Sequence, residues 1–512
     1  VGVANTSVLV SNNTVTTATP GDPLYGSEGI YVYCFAAPTA TPVVIGNTIW
    51  LTNSGTTSSA MNLVGLTDDT VIESNIIHLE GNSAPDVGIL SWWNTGMPLL
   101  QSNVVTAAGG DTGAQIFHNE DPSEAPIFRG NTFATTSSDG TNPGQGTGIF
   151  VTDDGTFFGD ENGITYAIIQ GNTISGFARG IDLFQSAATP LGGRVVRAEI
   201  SGDNTIEASP AGTGIRVIEE NPTGARAEAI ITDNSASIHG QEIGILVDGG
   251  SSTITNNAIY DNGIGVLVTN LGIVTAFSDN SFDGGAADDN TADLQIAADA
   301  ASVAIGGDNA FAGDAFYLVN RISTDYDLSS NGTTFDTADG FAIEDAIFHK
   351  MDSAASGLVT WSPGEWFVTA TSGSIQTAIG LAAAGDTIHV GPGTYDEVGQ
   401  IHIDKDLDIV GADRATVIVR PTANTGSSGN ARGWWLVDPG ITLDLSGLTL
   451  DGNGFNVYQG IRHLGGGTIT DVAFTDITFP GYGGVAVAAF GDDAIDNNVN
   501  ISGCTFDQIG RV

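Results

Sequence analysis

Cysteine is nearly absent from this chain of 512 residues: Cys34 and Cys504 stand far apart in sequence. No disulfide framework and no cysteine-based metal site can be built from them. Basic residues are almost as scarce, with 14 Lys+Arg against 59 Asp+Glu and a net charge of −45. A nucleic-acid or anionic-membrane surface is therefore excluded as a partner. Hard cations, Ca²⁺ above all, are drawn to such a surface instead. No run of 18 apolar residues occurs, so no membrane-spanning helix is expected. Segments of helical period are also missing from most of the chain. Val1 follows no leader and no methionine, as expected of a processed or partial chain.

What is abundant is glycine, with 70 residues, beside Asn, Thr, Asp and a 41% apolar fraction that suffices for a large core. Low cysteine with this composition suits a secreted or cell-surface protein. A motif of small residue, Asn, small residue and apolar residue recurs as "NNTV" (12–15), "GNTI" (46–49), "SNII" (74–77), "SNVV" (102–105), "GNTF" (130–133), "GNTI" (171–174) and onward to "DNAF" (308–311). Its asparagines are Asn13, Asn47, Asn75, Asn103, Asn131, Asn172, Asn204, Asn234, Asn257, Asn280 and Asn309. The spacing varies between 23 and 41 residues, which means a fixed minimal unit carrying insertions of different size. A second signature is a Gly opening a strand of period 2: "GAQIF" (113–117), "GIFV" (148–151), "GIDLF" (180–184), "GIRVI" (214–218), "GILV" (244–247) and "GVLV" (265–268). Twenty-three residues hold three short strands and three turns but no helix. The expected architecture is all-β: three strands per coil, stacked in parallel, with apolar side chains inside and asparagines bonded from coil to coil.

These motifs resemble the right-handed parallel β-helix of the pectin-lyase-like superfamily. The stretch "TSGSIQTAIGLAAAGDTIHVGPGTY" (371–395) is similar to the cap helix and first coil that open such a solenoid, and predicts a helix over Ser374–Ala384. The expected division is a β-helix body over 1–351, a linker over 352–371, and over 372–512 a cap helix with the first coils of a second β-helix. Cys504 stands there in the slot of the repeated asparagine. "NISGCTFDQIGRV" would run in phase into "VGVANTSVLV", so further copies, end to end or as neighbouring fibres, are the expected partners.

The resemblance implies a polysaccharide lyase, epimerase or hydrolase, yet the "NTD…DD…GHG…RIK" series and the "DPHD" of those families are missing. Lysine offers only Lys350 and Lys405, and Lys405 in "IHIDKDLDIVG" reads as structural. Aligning the strands on their glycines puts Gln115, Phe150, Asp182, Arg216 and Leu246 in one outward row, with Asp182 and Arg216 on adjacent coils. Three residues further lie His118, Asp153, Gln185 and Glu219. An exposed strip of Gln115, His118, Asp182, Arg216 and Glu219, with Trp93 and Trp434 as ring platforms, would suit a carbohydrate. The plainer reading is a surface ion pair worth about 0–1 kcal/mol. Asp153, Asp154, Asp160 and Glu161 crowd one glycine-rich loop (151–166) and would hold Ca²⁺, against the plainer reading of a solvated loop. The tryptophan pairs 92–93 and 434–435 are each expected to send one ring inward and one outward. The sequence thus favours a non-enzymatic extracellular rod, fibre or adhesin segment; the alternative is a secreted polysaccharide-active enzyme.

Overall fold

The computed structural model describes the chain except residues 1, 5, 18–26, 35–38, 53–57, 81–84, 120, 136–145, 154–163, 187–194, 221–225, 286, 492–497 and 511–512. The chain is a right-handed parallel β-helix throughout, organised as two compact units: Val1–Ile322 with Asn331–Asp336, and Ser323–Ser330 with Thr337–Val512.

In the first unit the earlier coils have three strands, as in Val87–Trp92, Leu99–Gln101 and Val104–Ala107, and later the second and third run together, as in Arg226–His239 and Ser251–Tyr260. The first strand of each coil joins one long parallel sheet: Glu28–Tyr33, Ser59–Val64, Val87–Trp92, Thr112–Phe117, Thr147–Thr152, Arg179–Gln185, Thr213–Glu219, Ile243–Asp248, Ile264–Thr269 and Ala292–Ile296. Inward side chains such as Ile149, Val151, Ile181, Leu183, Ile215 and Val217 are fully buried in the bore. Their alternation with outward residues gives the strands their period.

The second and third strands meet at a corner where all eleven asparagines stack. The side-chain Nδ2 of each donates to Oδ1 of the next, from Asn13 to Asn47 (2.9 Å) through to Asn280 and Asn309 (3.2 Å). The left-handed conformation at this corner belongs to the preceding residue, not to the ladder asparagine: Gly46, Ser74, Ser102, Gly130, Gly171 and Asp203 all have φ between 55° and 67°. A short polar residue or glycine takes the turn, and the asparagine is retained for its amide. In the last coils of this unit a second stack runs through the bore, where Phe282 and Phe311 lie parallel at 5.4 Å, 4° apart.

The second unit starts before the expected boundary. Residues 352–371, expected as a linker, supply the strand Glu365–Val368, which pairs in register with Thr387–Val390. The cap helix is Ile375–Leu381, with Ser374 as N-cap and Ile375, Ala378 and Ile379 buried against the coils below. The Glu397 carboxylate accepts the Ile375 N–H (2.7 Å) at one end, and Lys405 Nζ donates to the carbonyls of Ile379 (3.0 Å) and Ala382 (3.2 Å) at the other. Orphan groups at both helix ends are thereby met, so Lys405 is structural. The ladder slot here holds apolar Leu448 and Val472 and then Cys504, each after a left-handed Gly447, Asp471 or Gly503.

His463 is the odd member of this bore. It is fully buried beside Val437 in register, and neither ring nitrogen reaches a partner at hydrogen-bonding geometry. Burial holds its pKa below the ordinary 6.5, against a weaker opposing contribution from the Gly465 backbone. The unfolded chain binds the proton more readily than the folded one, so stability is present above about 6.5 and is lost as pH falls below it. His463→Leu should therefore narrow the difference in melting temperature of the full chain between about pH 7.5 and pH 5. An equal difference in the wild type and the variant would remove His463 from the acid response.

Candidate functional site

The long sheet carries the predicted row in the predicted register. Gln115, Phe150, Asp182, Arg216 and Leu246 face one another across successive strands. Arg216 donates from Nε to Asp182 Oδ1 (2.8 Å) and from Nη2 to Oδ2 (2.7 Å), a two-point fork. Arg179, three residues before Asp182 on its strand, places Nε 3.8 Å from the same carboxylate. Burial, and then Arg216 nearby, push the Arg179 pKa down, with Asp182 opposing.

The strip was expected to be exposed. Most of it is not: Asp182 is 0% exposed, Glu219 2%, and His118 and Gln185 3% each, while Gln115 and Arg216 are half-buried. The reason is that the outward positions between the polar ones hold large rings, with Phe117, Phe150 and Phe184 all nearly covered. Trp92 stacks on Phe117 (5.4 Å) and Phe150 packs with Phe184 (6.3 Å). A pair that reads as a surface salt bridge is thus a cluster of two half-buried guanidinium groups on one fully buried carboxylate.

At the end of the same strands, Gln185 Nε2 donates to Asp153 Oδ2, and the Ser186 N–H to Asp153 Oδ1 (3.1 Å). Asp154, Asp160 and Glu161, the other expected Ca²⁺ ligands, lie outside the described residues. Among the described residues no three His, Cys, Asp or Glu side chains converge on a metal position. Trp93 and His118 occupy neighbouring coils, ring edge to ring face at 5.0 Å, and both have left-handed backbones (φ 52° and 59°). Bulky residues rarely adopt that conformation and pay about 1–3 kcal/mol to do so, a strain that clusters at functional sites.

Trp434 is corrected. Both it and Trp435 point into the second unit's interior, at 1% and 0% exposure. Trp434 sits at the position that Gly460 fills one coil later, and with Trp435 beside it also in the core, alternation of faces fails there. It cannot serve as a sugar platform.

No protein-family model and no curated protein matches this chain. Among solved structures, a PL6 family alginate lyase, AlyGC, covers 99% of this chain and 77% of its own at 13% identity, TM-score 0.29. An arginine-to-alanine mutant of that lyase matches over the same shares at 10% identity, TM-score 0.21. These matches assign no chemistry to any side chain here.

Arg179 escaped the sequence reading because it precedes the glycine on which strands are aligned. A second buried polar group was also missed: His349 Nε2 lies 3.1 Å from Glu344 Oε1, while its Nδ1 accepts the Val359 N–H (3.1 Å). Trp361 Nε1 reaches the other Glu344 oxygen (3.4 Å) beside a cavity of about 40 Å³. Both imidazole nitrogens are engaged, which fixes one tautomer and fits a structural role.

Proposed function

We propose that this chain is an extracellular, polysaccharide-active β-helix whose glycan site is the outward row of the long sheet from Trp93 to Glu219. The observation that carries this reading is the Arg179–Asp182–Arg216 cluster, buried on the outer face of a solenoid. Withdrawing three charges from water costs several kcal/mol per ion before pairing offsets it. Load-bearing alone does not require that expense, and two coils further the same row is Leu246 and Leu267. Insertions also concentrate here, since the ladder spacing rises to 41 and 32 residues beside these strands and falls to 23 beyond them. Long loops on a rigid scaffold are where binding residues gather.

The chemistry fits a uronan. Two guanidinium groups around one carboxylate, on arginine side chains each still 14% exposed, leave a net positive charge able to neutralise a sugar carboxylate, the step that makes the neighbouring ring proton removable in a lyase or epimerase. Hydrolysis would need two carboxylates set for acid and base roles, and Asp182 is committed to the arginines. Because a charge of −45 repels a polyanion, Ca²⁺ is the expected bridge, with Asp153, Asp154, Asp160 and Glu161 as its ligands. The test is incubation with alginate, pectate and other uronans with and without millimolar Ca²⁺, reading unsaturated-uronate absorbance for elimination and ring-proton exchange in D₂O for epimerisation. Activity that falls about a hundredfold in Arg216→Ala and partly returns in Arg216→Lys is the expected result. Absence of both signals on every uronan overturns it.

That outcome would leave a second reading, the load-bearing rod built of further copies. The unbroken asparagine ladder supports it, as do the half-exposed Ile501 and Phe506 on the strands Val499–Ser502 and Thr505–Asp507. End-to-end filaments in electron micrographs would speak for it.

A further inference from the structure

Arginines in this acid-rich chain are usually matched by carboxylates: Arg197 by Glu228, Arg216 and Arg179 by Asp182, Arg414 by Asp471, Arg420 by Asp451. Arg129, bonded to Gln170 alone, breaks that pattern, and so do Arg432 and Arg462 in the second unit. Among the described residues neither of the latter two forms an ion pair, although 59 acidic residues are available. The turn that carries Arg432 packs on the strand of Arg462, since Asn430 Oδ1 accepts from Arg462 Nε (3.1 Å); burial and then Arg432 lower the Arg462 pKa.

Both are held in place by neutral groups. Arg462 donates from Nε to Asn430 Oδ1 (3.1 Å) and from Nη1 to Gln459 Oε1 (3.3 Å), and its guanidinium lies over the Phe490 ring at 4.4 Å. Arg432 donates from Nε to the Ser427 carbonyl (3.0 Å) and covers the Tyr458 ring at 5.0 Å. Tyr458 in turn packs with Phe479 (5.0 Å) and Tyr482 (5.6 Å). Tyr482 is 57% exposed and Phe490 43%. Glycine at 433 makes the arrangement possible, because a Cβ there would stand 2.5 Å from the Cβ of Arg462.

Two adjacent guanidinium groups without counterions have donors left over, and each presents a planar fork that matches a carboxylate. Exposed tyrosine and phenylalanine rings beside them supply flat faces for the C–H side of a sugar. We infer that Arg432, Arg462 and Tyr482 form a binding site for a uronate-bearing oligosaccharide, its carboxylate between the guanidinium groups and its pyranose ring against the aromatic cluster. The occupant is chosen by charge: this is a locally positive, aromatic patch on a strongly negative chain, and an anionic sugar satisfies both features where a cation or an apolar peptide satisfies one at most. The inference stands apart from the proposed site on the first unit, and its residues lie in the second.

The experiment is titration of the full chain with saturated tetra-uronates, followed by calorimetry, beside neutral and sulfated oligosaccharides of the same length. Arg462→Gln and Tyr482→Ala should each weaken uronate binding about tenfold, and Arg432→Gln with Arg462→Gln should abolish it. Arg197→Gln, which loses an arginine elsewhere, should leave this binding event intact. Circular dichroism and melting temperature report whether each variant is folded, and Arg462→Lys keeps the charge if Arg462→Gln does not fold. Uronate binding that is indifferent to these arginines, tighter binding of the sulfated sugar, or equal binding of the neutral one would each overturn the assignment.

Discussion

Asp182→Ala should destabilise the first unit by about 3–5 kcal/mol, among the largest effects open to a single substitution on its outer face. The carboxylate is fully buried and receives both forks of Arg216, with Arg179 at 3.8 Å. Removing it leaves two largely buried guanidinium groups, each on a side chain 14% exposed, with nothing to balance them. Asp182→Leu combined with Arg216→Met should cost less than Asp182→Ala alone, since it removes the orphaned charge and restores apolar volume. Chemical denaturation monitored by circular dichroism distinguishes the cases. A loss below about 1 kcal/mol for Asp182→Ala would place the pair among solvated surface bridges.

An equally large effect is expected in the middle of the asparagine ladder. Asn103 donates from Nδ2 to Asn131 Oδ1 (3.0 Å) and to the Ile72 carbonyl (2.9 Å). Its own Oδ1 accepts the backbone N–H (3.1 Å) and Nδ2 (2.9 Å) of Asn75. Asn103→Ala strands donors and acceptors on both neighbouring coils, each costing about 1–3 kcal/mol when buried, so a total of about 3–5 kcal/mol follows after allowing for relaxation. Asn13→Ala, on an exposed first rung, should cost about 1 kcal/mol or less. A flat response along the ladder in urea titrations would mean that the rungs act separately and do not reinforce one another.

The fold was legible because its two requirements are written locally. A strand must alternate, and a corner must find a left-handed residue and a partner for its amide; both recur in plain view from Asn13 to Asn309. The register of the candidate site followed from the same glycines, which is why Asp182 and Arg216 could be paired without coordinates. Their burial could not be read. It depends on rings from neighbouring coils, such as Phe150 beside Asp182, whose positions matter only once coils are stacked. Trp434 misled because alternation breaks at the position that Gly460 fills one coil later. Arg432 and Arg462 stayed hidden for a related reason: Arg432 belongs to a short turn, Gly429–Arg432, outside any period, so nothing in the pattern aligns it with a strand residue of the next coil.

The ladder also gives the first unit a direction. Every rung donates from Nδ2 of the earlier coil to Oδ1 of the later one, so the side-chain dipoles point the same way and add in series. Asn13 Oδ1 accepts from no described residue, whereas at the far rung Asn309 Nδ2 gives its hydrogens to the carbonyls of Phe277 and Gly306. The stack is therefore electrically polar, with an acceptor at one pole and spent donors at the other. Any further rung laid on the Asn13 side must arrive donor first. A coil stacked there in the reverse orientation would set oxygen against oxygen, and the solenoid would refuse it before any apolar contact was made.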